Sequence, residues 1–166
     1  MPLGILDGPE KHYKFLKDII KIAEKEIYIC TPWISANVVN DEFIELIKGV
    51  IEKDKSIKIT FGYSTKKSQT EDTKEIAQRE KRNIDKEENY EKAIQLLKEC
   101  LKENLKYQPP IHSKILVIDG KYMWIGSHNW LSNAGKSIYK RDEISNLTTD
   151  IEQVEYIKKK YFLDNN

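Results

Sequence analysis

Between Pro9 and Lys25 the apolar residues Tyr13, Leu16, Ile19, Ile20 and Ala23 recur at helical spacing, which predicts an amphipathic helix. Glu26 to Thr31 (EIYICT) is predicted as a strand, closed by Pro32. A second helix is predicted from Asn40 to Lys53, with Phe43, Ile44, Ile47, Val50 and Ile51 inward, and a second strand from Ile57 to Gly62 (IKITFG). Strand–helix–strand at this spacing implies a right-handed crossover joining a parallel pair. The loop Tyr63 to Gln69 follows at the carboxyl end, where open α/β sheets bind ligands. Thr70 to Glu88 is heavily charged and weakly periodic, an exposed helix or a lid whose alternating signs suit a solvated face. Tyr90 to Leu105 carries a clear stripe (Tyr90, Ala93, Ile94, Leu97, Cys100, Leu101, Leu105) and is predicted as a packed helix.

The most informative stretch is Ile111 to Leu131. Ile115 to Ile118 is an unbroken apolar run, as in a strand covered on both faces. Asp119-Gly120 then signals a hairpin turn, and Tyr122 to Gly126 is the return strand. With a two-residue turn, Ile118 faces Lys121, Lys114 faces Ile125, and His112 faces Ser127, with Asn129 just beyond; a bulged turn shifts this by one residue. His112 and Lys114, two apart, project from one face. The hairpin therefore gathers an imidazole, an ammonium, a hydroxyl and a carboxamide at one end, a site for an oxyanion and above all a phosphate. Asp119 sits at the other end, roughly 20 Å from His112 by strand rise, where its short polar side chain suits turn capping. Gly126 leaves room where the chain leaves the sheet. Leu131 to Lys140 is a loop, Asp142 to Leu147 a strand and Ile151 to Phe162 a closing helix. The outcome is one α/β domain over residues 1–166 with a mixed sheet, its ordered core at about 9–163 and a charged helical excursion at about 65–106.

His112, Lys114, Asp119, Gly126, Ser127 and Asn129 fill every specified position of H-x-K-x4-D-x6-G-S-x-N. The stretch thus resembles the HKD motif of the phospholipase D superfamily, in the strand–turn–strand context such a motif requires. The resemblance implies an α/β/α sandwich with a mixed central sheet flanked by helices. It implies that His112 attacks phosphorus to give a phosphohistidine that water later hydrolyses. Lys114 and Asn129 would hold the non-bridging oxygens, and Ser127 would assist them or orient the loop. Glu143 matches the family's carboxylate that fixes the other nitrogen of the attacking imidazole; Asp142 beside it competes for that part. No carboxylate cluster suited to two metal ions accompanies the motif, so no metal and no cofactor are expected, as in the family.

The family takes its general acid from a second copy of the motif, and this chain holds one copy. His12 opens a tempting HYK, but positions i and i+2 on a helix point ~200° apart. His128 alternates away from Ser127 and Asn129. A twofold homodimer that sets His112 against its symmetry mate would complete the site, as in single-copy members.

Charge and composition narrow the substrate only partly. Charged residues make up 33% and the formal net charge is +1, so no global basic footprint announces nucleic acid. Lys66, Lys67, Lys136, Lys140 and Arg141 fall in the two loops nearest the site and would line a groove for a polyanion, or stand as ordinary solvated cations. Trp33, Tyr63 and Trp130 lie at strand ends near the cleft; stacking on bases is one role and core or dimer packing the favoured one. Cys30 and Cys100 fall in apolar patterns, which suits two buried free thiols of a reducing compartment, a disulfide being the alternative. No apolar run approaches the ~20 residues that span a membrane, no signal peptide leads the chain, and a cytoplasmic protein is expected, either whole or a module of a larger one. The expected function is a metal-independent phosphodiesterase acting on nucleic acid. The alternatives are a phospholipase D-type lipid phosphodiesterase, or a non-catalytic HKD fold kept for dimerisation or nucleic-acid binding.

Overall fold

The computed structural model describes residues 4–63, 76–138 and 141–163, with the side chains of 76–87 left aside. A seven-stranded mixed sheet runs in the order β1-β7-β6-β5-β2-β3-β4. The strands are β1 (Ile5–Asp7), β2 (Glu26–Thr31), β3 (Ser56–Phe61), β4 (Leu105–Tyr107), β5 (Ile115–Ile118), β6 (Tyr122–Gly126) and β7 (Ile144–Thr148). The helices are α1 (Pro9–Ile22), α2 (Asp41–Ile51), α3 (Ile76–Leu101) and α4 (Ile151–Tyr161). β2 and β3 pair in parallel through α2, as the strand–helix–strand spacing requires, and β5 runs antiparallel to β2.

Alternation along the strands divides the core in two. Ile27, Ile29, Leu116, Ile118 and Trp124 face the stripes of α1, α2 and α3. Tyr28, Cys30, Ile115, Val117 and Met123 face α4 through Val154 and Phe162. This is the expected α/β/α sandwich. α2 begins where Asn40 caps it, its Oδ1 accepting from Phe43 N at 3.1 Å; α4 begins at Asp150, which accepts from the amides of Glu152 and Gln153.

Several expectations shift. The first helix stops at Ile22 rather than Lys25, because Glu24, Lys25 and Glu26 give their N–H groups to Asp119. Ordered structure begins before residue 9: β1 pairs with β7, and Leu6 is wholly buried. Leu105 does not close the third helix; a 3-10 turn at Lys102–Asn104 intervenes and Leu105 opens β4 against Ile59. The last strand starts at Ile144, so Asp142 and Glu143 precede it. Lys66, Lys67, Lys140 and most of the charged excursion lie outside the described residues or side chains.

The hairpin register also moves by one. Asp119 and Gly120 both have positive φ, 56° and 61°, as a type I′ turn needs. Lys121 is then looped out, so Ile118 pairs with Tyr122 and Ile115 with Ile125. Lys114 consequently lies across from Gly126, whose N–H donates to the Lys114 carbonyl at 3.4 Å, and not across from Ile125.

Candidate active site

The site forms at the sheet end where β2, β3 and β6 finish and β5 and β7 begin. His112 and Lys114 stand on the extended segment entering β5, locked in place because Ile111 N–H donates to Gly62 O at 2.6 Å. His112 is exposed, whereas Lys114 is nearly buried beneath it and donates from Nζ to the His112 carbonyl at 2.6 Å. Burial lowers the Lys114 pKa, and the nearby Glu143 carboxylate partly opposes that shift.

Gly126 brings the return strand close to β7. A Cβ there would lie 2.0 Å from Ile144 O and 2.4 Å from Ser145 Oγ, so no side chain fits without moving backbone. Ser127 follows at once and is clamped to the neighbouring strand: its N–H donates to Ile144 O at 3.0 Å, and its Oγ accepts from Ile144 N at 3.0 Å. The same hydroxyl donates to Glu143 Oε2 at 2.6 Å. Buried Glu143 therefore spends its carboxylate on Ser127, and no hydrogen bond joins it to His112 among the described residues. Asn129 is half-buried, with its Oδ1 unpartnered among those residues.

The other two histidines form a feature the sequence reading missed. His12, on α1, is wholly buried; its Nδ1 lies 2.7 Å from Gly8 O and its Nε2 2.9 Å from Ser145 Oγ. The carbonyl can only accept, so Nδ1 carries the proton and Nε2 accepts from Ser145. The rings of His12 and His128 stack at 4.3 Å, and both meet Trp130 edge-on. Burial pushes the His128 pKa down to about 3, helped by His12, and burial also lowers that of His12. Trp130 is wholly buried in this cluster and lines no cleft. The helical spacing of His12 to Leu16, Ile19 and Ile20 was the available signal that His12 faces inward.

Trp33 and Tyr63, by contrast, are exposed beside the site; their rings lie 4.8 Å apart, and Tyr63 lies 5.6 Å from the His112 ring. Lys136 and Arg141 are exposed in the loop before β7. Asp119, at the far end of the hairpin, accepts from the backbone of Glu24, Lys25 and Glu26 at 2.7–3.2 Å and so caps the α1–β2 connection rather than its own turn. Cys30 and Cys100 are both free, and burial raises the Cys30 thiol pKa to about 12. Among the described residues, no group of three or more His, Cys, Asp or Glu is placed to hold a metal ion. No helix among them is long and apolar enough to cross a membrane.

The family described as cardiolipin synthase, PLD-like domain, matches residues 16–162. The chain belongs to the phospholipase D-like family. No curated protein sequence matches it. Among solved structures this phospholipase D-like chain is similar to the phospholipase D family member Nuc from Salmonella typhimurium. That likeness has a TM-score of 0.58 at 11% identity, covering 94% of this chain and 90% of that one. NucT from Helicobacter pylori gives 0.53 at 16% identity, covering 95% and 91%. The phosphatidylserine synthase of Haemophilus influenzae Rd KW20 gives 0.54 at 14% identity, covering 94% of this chain and 36% of that one. At these identities the likeness is one of fold.

Proposed function

We propose that this phospholipase D-like chain is a metal-independent phosphodiesterase acting on nucleic acid, with His112 as nucleophile and each site completed by a second copy. The observation that carries this reading is the contrast among the histidines. His112 is exposed beside Lys114, while His12 and His128 are buried, stacked on each other and poor proton carriers. A His112 ring nitrogen attacks phosphorus, a P–N bond forms, and the bond to the leaving oxygen breaks as an acid protonates that oxygen. Water then attacks phosphorus, returns a proton to that same group, and frees His112. Lys114 and Asn129 hold the non-bridging oxygens where charge gathers. Glu143, held by Ser127, supplies the negative charge beside Lys114 and anchors the loop carrying Asn129.

The acid is the partner's His112, because neither buried imidazole reaches the surface. An uncovered sheet face supports pairing. Ile5, Ile125 and Ile144 share the α4 side of the sheet by register, yet are 61%, 43% and 55% exposed. Apolar patches of this kind mark protein contacts, and Ile144 adjoins Ser127. The exposed Lys136 and Arg141 favour a polyanion over a neutral lipid surface.

Cleavage of DNA or RNA in excess chelator tests the chemistry; loss of activity restored by magnesium overturns it. Co-refolding wild type with His112→Ala tests the sharing. Activity per total protein should follow the square of the wild-type fraction, about one quarter at an equal mixture. A linear fall to roughly one half, with pairing confirmed by mass, places the acid within a single chain.

A further inference from the structure

We propose that Trp33 and Tyr63 form a stacking platform for an unpaired base, so that the site takes single-stranded nucleic acid; this rests on His112 being a phosphodiesterase nucleophile. The two rings reach one place because their strands are parallel neighbours. Trp33 stands two residues past the end of β2, and Tyr63 two past the end of β3.

Both are held firmly. Thr31 Oγ1 donates to the Trp33 carbonyl at 3.2 Å, and the next residue, Ile34, bridges to Leu131. Before Tyr63, Gly62 has φ +128°, and a Cβ there would lie 2.7 Å from the Tyr107 ring, so the chain makes this exit only with glycine. The Gly62 carbonyl in turn accepts from the N–H of Ile111, next to His112. The platform and the nucleophile thus share one backbone frame, and the Tyr63 ring lies 5.6 Å from the imidazole.

Packing does not account for the pair. Trp33 is 44% and Tyr63 45% exposed, and neither belongs to a core cluster, whereas Trp130 is wholly buried. Two large aromatic rings left in water beside a phosphate site match a ligand with a flat face close to its phosphate. A nucleotide has that form, its base one sugar away. In a duplex the base faces are already stacked on one another; in a single strand they are free to settle on protein aromatics. A diacyl phospholipid has no flat ring to offer.

The test uses this chain carrying Trp33→Leu or Tyr63→Leu, each checked by circular dichroism, on three substrates of one sequence. These are a single strand, its duplex, and the single strand with abasic nucleotides flanking the cleaved bond. On the single strand each variant should lose about ten- to a hundredfold in kcat/KM, mainly through KM. Abasic substitution should cost wild type a similar factor and cost the variants almost nothing. Losses that simply multiply, variants as active as wild type, or preferred cleavage of the duplex overturn the platform while leaving the phosphodiesterase reading standing. Variants that lose binding to phosphatidylglycerol vesicles but not to oligonucleotide also overturn it, and assign the rings to a membrane surface. If wild type cleaves no nucleic acid, the phosphodiesterase reading falls. Oligonucleotide retention that Tyr63→Leu abolishes, or leaves unchanged, then decides the platform alone. Should Trp33→Leu fail to fold, Tyr63→Leu and the abasic strand on wild type carry the same comparison.

Discussion

Acid titration of the folded protein isolates the buried histidine pair. Among the described residues His128 has no hydrogen-bond partner at either ring nitrogen; it stacks on His12 at 4.3 Å, and its pKa is pushed from 6.5 to about 3 by burial and then by His12. The folded state refuses a proton that the unfolded chain accepts below pH 6.5. The stability linked to His128 is therefore whole above pH 6.5 and is lost as pH falls toward 3. Each pH unit in that window costs about 1.4 kcal/mol, hence about 2 kcal/mol by pH 5. Against a domain stability of roughly 5–15 kcal/mol this is a large share. His12 adds in the same direction, since burial outweighs the Gly8 carbonyl and the Glu143 and Asp7 charges that favour its protonation.

The perturbation is His128→Phe, which keeps a flat ring of similar size in the stack and removes both unpartnered nitrogens. Replacing unsatisfied polar atoms by apolar ones is neutral or stabilising, so the variant should be at least as stable as wild type at pH 7. Urea unfolding at pH 7, 6, 5 and 4 should then show the gap between the two proteins widening by about 1.4 kcal/mol per unit below pH 6.5. His12 remains in both and cancels to first order. A gap that stays constant with pH would mean that His128 is not the neutral, desolvated group described, and would refute the reasoning.

Asp119→Asn turns one carboxylate acceptor into a donor facing backbone N–H groups, and should cost about 1–2 kcal/mol in unfolding experiments while kcat/KM stays within about twofold. Lys114→Ala should do the reverse, abolishing turnover with the melting temperature little changed; equal inactivity of a folded Asp119→Asn would contradict the separation of the two ends. Ile125→Asp should convert the proposed dimer to monomer in sedimentation and lose activity with it; a dimer left unchanged would move the interface off this sheet face, and a monomeric wild type would overturn the pairing.

The hairpin was legible because each of its parts carries an unambiguous local signal. The ILVI run, the Asp-Gly turn and the YMWIG return match β5 and β6 residue for residue. Their register was not, since nothing in the sequence says that Lys121 loops out. β1 has three residues and one buried side chain, too little for any periodicity to register. β4 was hidden because Leu105 continues the helical stripe of Leu97 and Leu101; only its pairing with Ile59 makes it a strand. The motif residues were found by spacing, yet their partnerships were not. Ser127 with Glu143 and His12 with His128 depend on β6, β7 and α1 converging, across sequence separations of 16 and 116 residues. Ser145 escaped notice for the same reason, although alternation from Glu143 places it on the same face.

That convergence explains why an aspartate far from the chemistry belongs to the same motif. From His112 to Asp119 the hairpin strand spans roughly 20 Å. α1, with 14 residues, spans about 21 Å. The two lengths are similar, and α1 is held near both of its ends. At one end Asp119 binds the three amides that follow α1. At the other, His12 in the first turn of α1 touches His128 and Ser145, the neighbours of Ser127 and Glu143. The spacing between histidine and aspartate thus approximates the length of α1, and Asp119 holds the connection by which the chain leaves that helix.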